Sequence, residues 1–329
     1  VSVHAATDAM SCPLQWRLFL PEEWAQGPKR RSRAGVPEDV RHVEKWRPAL
    51  DAIDTLIGRG PVPPVIVADA GYGRIGEHRH ELGARGLDFV VAVRGDEIAH
   101  TGDAVPSTIA YSGLGRRPLP RYRDRARSLV EHAVAAGREA FVEVGWRQGS
   151  RGAMRSRFAT TAVRPAGKVP VGLARAVAGD ADIAWGGVLP VFTLLTEWPD
   201  DAEEPTDHWL TNLPPDTPIA ESVRLAQMRW RVEHDYRELK HGLGLDHYEG
   251  RTWRGWHHHV TLVTAATPSS PSTGPTQKPS HRPDALQGPR HPPGPPRPLD
   301  RNLPHLPPGT APPTPISKTK TNTNLTKHY

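Results

Sequence analysis

Residues 65–76 read VIVADAGYGRIG, and the fold turns on how this stretch is understood. Val65–Ala68 is a short apolar run that follows the chain-breaking segment GRGPVPP at 58–64. That is the pattern of a strand buried on both faces in a parallel or mixed sheet. A short helix-like segment, EHRHELGARG (77–86), comes next, and a second apolar run, LDFVVAVRGD, occupies 87–96. Strand, turn, helix and strand in this order predict an α/β fold.

The same stretch supports two chemistries. Gly71-x-Gly73-x-x-Gly76 stands between a strand and a helix, with Asp96 twenty residues further on. This is the spacing of a dinucleotide-binding fingerprint and suggests a nucleotide-dependent oxidoreductase. Two features oppose it. The helix has only Leu82 as a sizeable apolar anchor, and Asp69 at the strand end would repel an anionic cofactor. The other reading starts from Asp69, a carboxylate at the C-terminal end of a buried strand, where it can reach into a crevice and bind a metal. Its plain counterpart is an Asp that caps the turn by accepting from the backbone of Gly71 or Tyr72.

A partner carboxylate is available far downstream. DTP at 216–218 predicts the start of a long helix, capped by Asp216 or Thr217 with Pro218 in its first turn and running to about Leu243. At about 100° per residue, Arg229, Glu233, Arg237 and Lys240 fall at about 0°, 40°, 80° and 20°. One acid is thus flanked by three cations on a narrow stripe. It is either a solvated face of i,i+4 ion pairs or a metal-binding carboxylate among phosphate-holding groups.

Working outward, VSVHAA and LQWRLFLP in residues 1–20 are strand candidates, and KRRSR (29–33) reads as a charged loop. A helix with Pro48 in its first turn should reach Ile57, with Leu50, Ile53, Leu56 and Ile57 on one face. From Asp96 to Pro205 the runs FVEVGW, RFATTAVRP and VFTLLTEW, with DHWLTNL just beyond, are separated by Gly/Pro-rich or acidic turns and predict a β-rich insertion. A basic cluster at 116–127, RRPLPRYRDRAR, lies within it; Arg116, Arg117 and Arg121 are candidate phosphate contacts against the alternative of a solvated loop. Arg147, Arg151, Arg155 and Arg157, near Trp146, are candidates for the DNA backbone. Trp146, Trp185, Trp198 and Trp209 read as core, with base stacking as the functional alternative. His257, His258 and His259 are consecutive on a predicted helix and cannot all face one ion.

Net charge is a misleading clue to the partner. The formal charge is +6, which would ordinarily suggest a nucleic-acid ligand. All of it resides in residues 267–329; residues 1–266 hold 34 basic and 34 acidic groups. The tail contains 17 of the 36 prolines and one aromatic residue, Tyr329. That is too little apolar surface to offset its ordering entropy, so it is expected to be disordered. The switch is abrupt after TWRGWHHHVTLVTAA, and a reading-frame change near residue 266 accounts for it as well as a genuine tail does. One cysteine in 329 residues allows no internal disulfide and fits a reducing, cytoplasmic setting. No run approaches the ~18 to 20 apolar residues of a membrane helix.

DAGYG (69–73), RLAQMRWRVEHDYRELKHGLGLDHYEGRTWRGWHHH (224–259) and SCPLQWRLFLPEEW (11–24), with WRQGSRG (146–152) and HWLTNLP (208–214), resemble transposases of bacterial insertion sequences in the DDE superfamily. The resemblance covers about residues 1–266, and it is to the type with a β-stranded insertion before the last catalytic helix. It implies an RNase H-like mixed sheet and a division into a core part at 1–95, an insertion at 96–205, the last core helices at 206–266 and the tail. It also implies two Asp and one Glu holding two divalent ions, Mg²⁺ or Mn²⁺. The second Asp maps onto Asp69, and the Glu and its flanking cations map onto Arg229, Glu233 and Lys240; the family's tyrosine position is Ala226. The first Asp lies on a strand upstream of the matching segment and is not in the chain. Asp8 is not promoted to that role. The expected DNA-binding region at the front is missing as well. The implied object is therefore a truncated transposase, associated with the nucleoid, that engages insertion-sequence ends and is inactive by itself. As a non-catalytic DNA-binding fragment it could also act on an intact transposase or on another copy.

Overall fold

The computed structural model describes residues 1–267 except 61, 109, 112, 115–117, 150–151 and 179–184. The expected disordered tail, apart from Thr267, lies outside the described residues, as do Arg116, Arg117 and Arg151.

The chain opens with a hairpin, β1 (Ser2–Ala6) and β2 (Ser11–Trp16), which forms a two-stranded antiparallel sheet of its own. Three helices follow: α1 (Glu22–Ala25), α2 (Pro28–Ala34) and α3 (Trp46–Ile57). KRRSR is therefore helical, not a loop. Pro28 occupies the first turn, where its missing N–H is harmless, and Gly35 closes the helix in the left-handed conformation at φ 63°. α3 buries Trp46, Ala49, Leu50, Ala52 and Ile53. Leu56 and Ile57, expected on that face, are only half-buried.

The stretch at 65–96 folds as a parallel crossover. β3 (Ile66–Ala68) leads into α4 (Ala70–Gly73) and α5 (Gly76–Ala84), and β4 (Phe89–Val93) returns alongside β3. GYGRIG is thus not a plain turn; its first half is a single helical turn. β4 shows why the run is uninterruptedly apolar. Phe89, Val91 and Val93 enter a core with Trp46, Leu50, Leu82 and Leu87. Val90 enters the opposite core with Leu195, Trp209, Val223 and Ala226. Successive residues of a strand point to opposite faces, and here both faces are covered.

The β-rich stretch comprises β5 (Ile98–Thr101), β6 (Arg127–Ser128), β7 (Val142–Gly149), β8 (Gly152–Pro165) and β9 (Phe192–Glu197), with β10 (Asp207–Thr211) just after it. Its strands extend the same sheet, in the order β3-β4-β10-β9-β8-β5-β6, with β7 also paired to β8. Among the described strands of this sheet only β3 and β4 run parallel; the other pairs are antiparallel. The result is a mixed α/β fold around one curled sheet. Two helices in this stretch carry little signal in the sequence. One is α6 (Leu129–Ala136), held by a Ser128–Glu131 capping box; the other is α7 (Lys168–Ala178).

The long helix expected from 216 to 243 is two helices, α8 (Ile219–Gln227) and α9 (Arg229–His241). At Met228 the ladder tightens by one residue. The Met228 N–H bonds Leu225 C=O, and the Arg231 N–H bonds Met228 C=O, which are the i→i+3 bonds of a 3₁₀ turn. Pro218, not Asp216 or Thr217, stands at the head of α8, with no side-chain cap. α10 (Trp253–Ala265) completes the described chain.

Candidate active site

Asp69 stands where β3 ends. Its backbone is extended and its Oδ1 accepts from the Gly71 N–H at 2.8 Å, capping α4. One carboxylate oxygen is used locally, as an Asx turn predicts, and Oδ2 has no hydrogen-bond partner among the described residues. The capping also removes the dinucleotide reading. Gly71 and Gly73 lie within α4, whose N-terminus already carries a carboxylate, so an anionic pyrophosphate would meet negative charge. Gly73 is explained by packing. A Cβ there would overlap the carbonyl oxygen of Ala92 on β4, so only glycine lets α4 lie against that strand.

Tyr72 lies in the same turn, its N–H donating to the Asp69 carbonyl at 3.0 Å. Burial pushes its phenol up to about 12, and the nearby Asp69 carboxylate and Tyr236 phenol add to the shift. Tyr236 belongs to α9, one helical turn after Glu233. The Tyr72 phenol therefore feels charge both from the end of β3 and from the middle of α9, which are far apart along the chain.

α9 has two unlike faces. Toward the protein, Asp235 accepts from the Ser11 hydroxyl and lies 3.7 Å from His4 Nδ1. The Tyr236 hydroxyl bonds Ser2, and its ring lies 6.0 Å from Trp16, edge to face. Arg231 donates to the Asp8 carbonyl. This face clasps the β1–β2 hairpin. Burial lowers the His4 imidazole's pKa against the opposing pull of Asp235. Toward solvent lie Arg229, Glu233, Arg237 and Lys240, all exposed as the wheel predicts. Arg229 Nε donates to Glu233 Oε1 at 3.0 Å, so one i,i+4 pair is formed.

Of the other candidates, Arg147 is brought to this helix. Its guanidinium lies 3.8 Å from the centre of the Trp230 ring, and Arg231 lies 4.3 Å from the same ring. Arg121 is elsewhere, on the rim of a cavity of about 560 Å³ with His100, Tyr122 and Trp185. Asp8 does not join Asp69, since its carboxylate faces Arg224 of α8 at 3.1 Å. Trp198 and Trp209 are core residues, and Trp146 packs edge to face on Phe158. His257 and His259 bond different backbone carbonyls, those of Trp253 and Leu245. Among the described residues, His234, Asp235 and Glu238 have ligand atoms within 4.8 Å of one another; Asp69 and Glu233 are not in this group. Nothing local in the sequence singles out Tyr72 or Trp230, because each acquires its role from a partner far away along the chain.

Residues 1–153 match the family model described as DDE superfamily endonuclease. No curated protein matches the chain. The matched residues run from β1 to the start of β8 and include Asp69, but not α9. No helix among the described residues is long and apolar enough to cross a membrane. The match supports a DDE-superfamily nuclease, a class that acts on DNA and generally uses divalent metal ions.

Proposed function

We propose that the chain is a transposase-type protein of a bacterial insertion sequence, built for phosphoryl transfer on DNA, with Asp69 and Glu233 as its metal-binding carboxylates. The observation that carries the reading is Asp69 at the end of β3, inside the matched segment, with one carboxylate oxygen free of the turn it caps; the electrostatic influence of Tyr236 of α9 on Tyr72 supports it. The donor chemistry suits Mg²⁺ or Mn²⁺, because both side chains offer hard carboxylate oxygens and Asp69 keeps one oxygen uncommitted. Two such ions, when bound, would activate a water or 3′-hydroxyl and stabilise the leaving oxygen. Arg229 and Lys240 orient the scissile phosphate, and Arg237, Arg147, Arg121, Arg116, Arg117 and Arg151 contact the DNA backbone. Residues 1–95 and 206–266 form the core on this reading, 96–205 the insertion, and 267–329 a tail outside both. The partners are insertion-sequence ends and another transposase subunit, in the cytoplasm at the nucleoid.

Two carboxylates are fewer than a two-ion site uses, and Asp8 is engaged by Arg224. We therefore expect the chain alone to bind transposon-end DNA and Mn²⁺ without cutting. Calorimetric Mn²⁺ titration should give heat that Asp69→Asn and Glu233→Gln remove; unchanged heat in both variants would sink the metal assignment. Mn²⁺-dependent cleavage abolished by Asp69→Ala would overturn the expected inactivity.

A further inference from the structure

Lys45 is an exposed cation at the head of α3. Its ammonium lies 6.0 Å from the centre of the Tyr72 ring, the side chain that Asp69 and Tyr236 both perturb. Its neighbour Glu44 is turned to Arg47 instead, at 2.6 Å. Upstream, residues 28–45 hold six Lys or Arg against three acids, although the body as a whole is neutral. α2 exposes Lys29, Arg30 and Arg33 within an arc of about 100°, and none has a carboxylate in ion-pairing distance among the described residues. Arg31 points away from them and donates to the carbonyls of Pro37 and Val40 at 2.7 and 2.9 Å, strapping the next segment to the helix. Arg41 and Arg31 border one cavity of about 300 Å³ with Ala25 and Glu38. Arg41 and Lys45 are four positions apart, at most about 14 Å of chain.

We propose that the Lys29–Arg30–Arg33 face, Arg41 and Lys45 form a track for the backbone of duplex DNA that leads to the Asp69 turn. The proposal rests on the DNA-acting reading above and adds a surface to it. Unpaired cations are the groups that gain from a polyanion, since they give up no existing ion pair, and each phosphate they neutralise releases counterions. Arg17, Arg79 and Arg85, by contrast, are already held by Asp51, Glu97 and Asp54.

The test is fluorescence anisotropy of the full chain with a labelled duplex in EDTA, as a function of salt. Each lost phosphate contact should reduce the slope of log K against log salt by about 0.9. The triple variant Lys29→Gln/Arg30→Gln/Arg33→Gln should therefore lose about 2 to 3 in slope, and Lys45→Gln about 1. Arg94→Gln, at an exposed arginine already paired with Asp96, should leave the slope unchanged. Circular dichroism checks α2, and the single variant Lys29→Gln replaces the triple if the helix is lost. Wild-type slopes in folded variants overturn the track alone. No duplex binding by the unaltered chain overturns the track and the DNA reading together.

Discussion

Asp69 and Glu233 stand on supports of opposite kinds. The β3–β4 crossover beneath Asp69 is apolar: Leu82, Leu87, Phe89, Val90 and Val91 are all within 2% of complete burial. α9 is fastened instead through polar groups, with Ser11, His4 and Ser2 of the hairpin holding Asp235 and Tyr236. Apolar packing is strong but tolerates sliding, whereas a hydrogen-bonded network admits few arrangements. The crossover thus supplies stability, and the clasp sets the orientation of the helix carrying Glu233.

The largest expected effect is on the apolar side. Leu82 is fully buried, and Leu82→Ala should cost about 2–5 kcal/mol in urea denaturation. A cost below about 1 kcal/mol would mean that α5 does not anchor the crossover. A buried titratable ring in that region gives the next effect. His78 is 2% exposed, and burial, then Arg79 and Arg85, push its imidazole down to about 4. Between about pH 6.5 and 4 the unfolded chain holds this proton and the folded chain does not, so stability falls as pH is lowered through that window. The loss is on the order of 3 kcal/mol. His78→Leu should flatten that part of the pH profile; an unchanged profile would assign the dependence to other groups.

These supports differ equally in how far the sequence discloses them. The apolar period of LDFVVAVRGD and the Asp at the end of VIVADA are local signals, and both elements appear where that period puts them, but β3 is a half-buried edge strand and only β4 is covered on both faces. The exposed stripe of α9 is equally local, because helical geometry alone determines which residues share a face. The clasp is not legible. Asp235 meets Ser11 across 224 residues, and nothing in either segment names the other. The same holds for Arg147 over Trp230. KRRSR misleads for a different reason. Its charge suggests a loop, but Pro28 before it and Gly35 after it are helix boundary residues, and boundaries outweigh composition.

The clasp itself is broken by Asp235→Ala, which strands the Ser11 hydroxyl and leaves His4 without its acid. A loss of about 1–3 kcal/mol is expected, with a change in the near-ultraviolet dichroism of Trp16 and Tyr236, whose rings pack together. Full stability with an unaltered aromatic signal would show that apolar contacts alone fix α9 and would erase the contrast with the crossover.

The smallest effect is expected on the outer face, and it separates the two meanings of the stripe. Arg229 and Glu233 are about half exposed, at 49% and 58%, where solvent screens the pair. A double-mutant cycle of Arg229→Ala and Glu233→Ala should give a coupling of about 0.3–0.5 kcal/mol. If the charges exist for a metal and a phosphate, Glu233→Gln should leave the unfolding midpoint almost unmoved while abolishing the Mn²⁺ titration heat. A coupling above about 1 kcal/mol, with Mn²⁺ heat unchanged, would make the stripe a helix-stabilising surface. Glu233 would then belong with Asp235 as a structural residue, and the two faces of α9 would differ only in exposure.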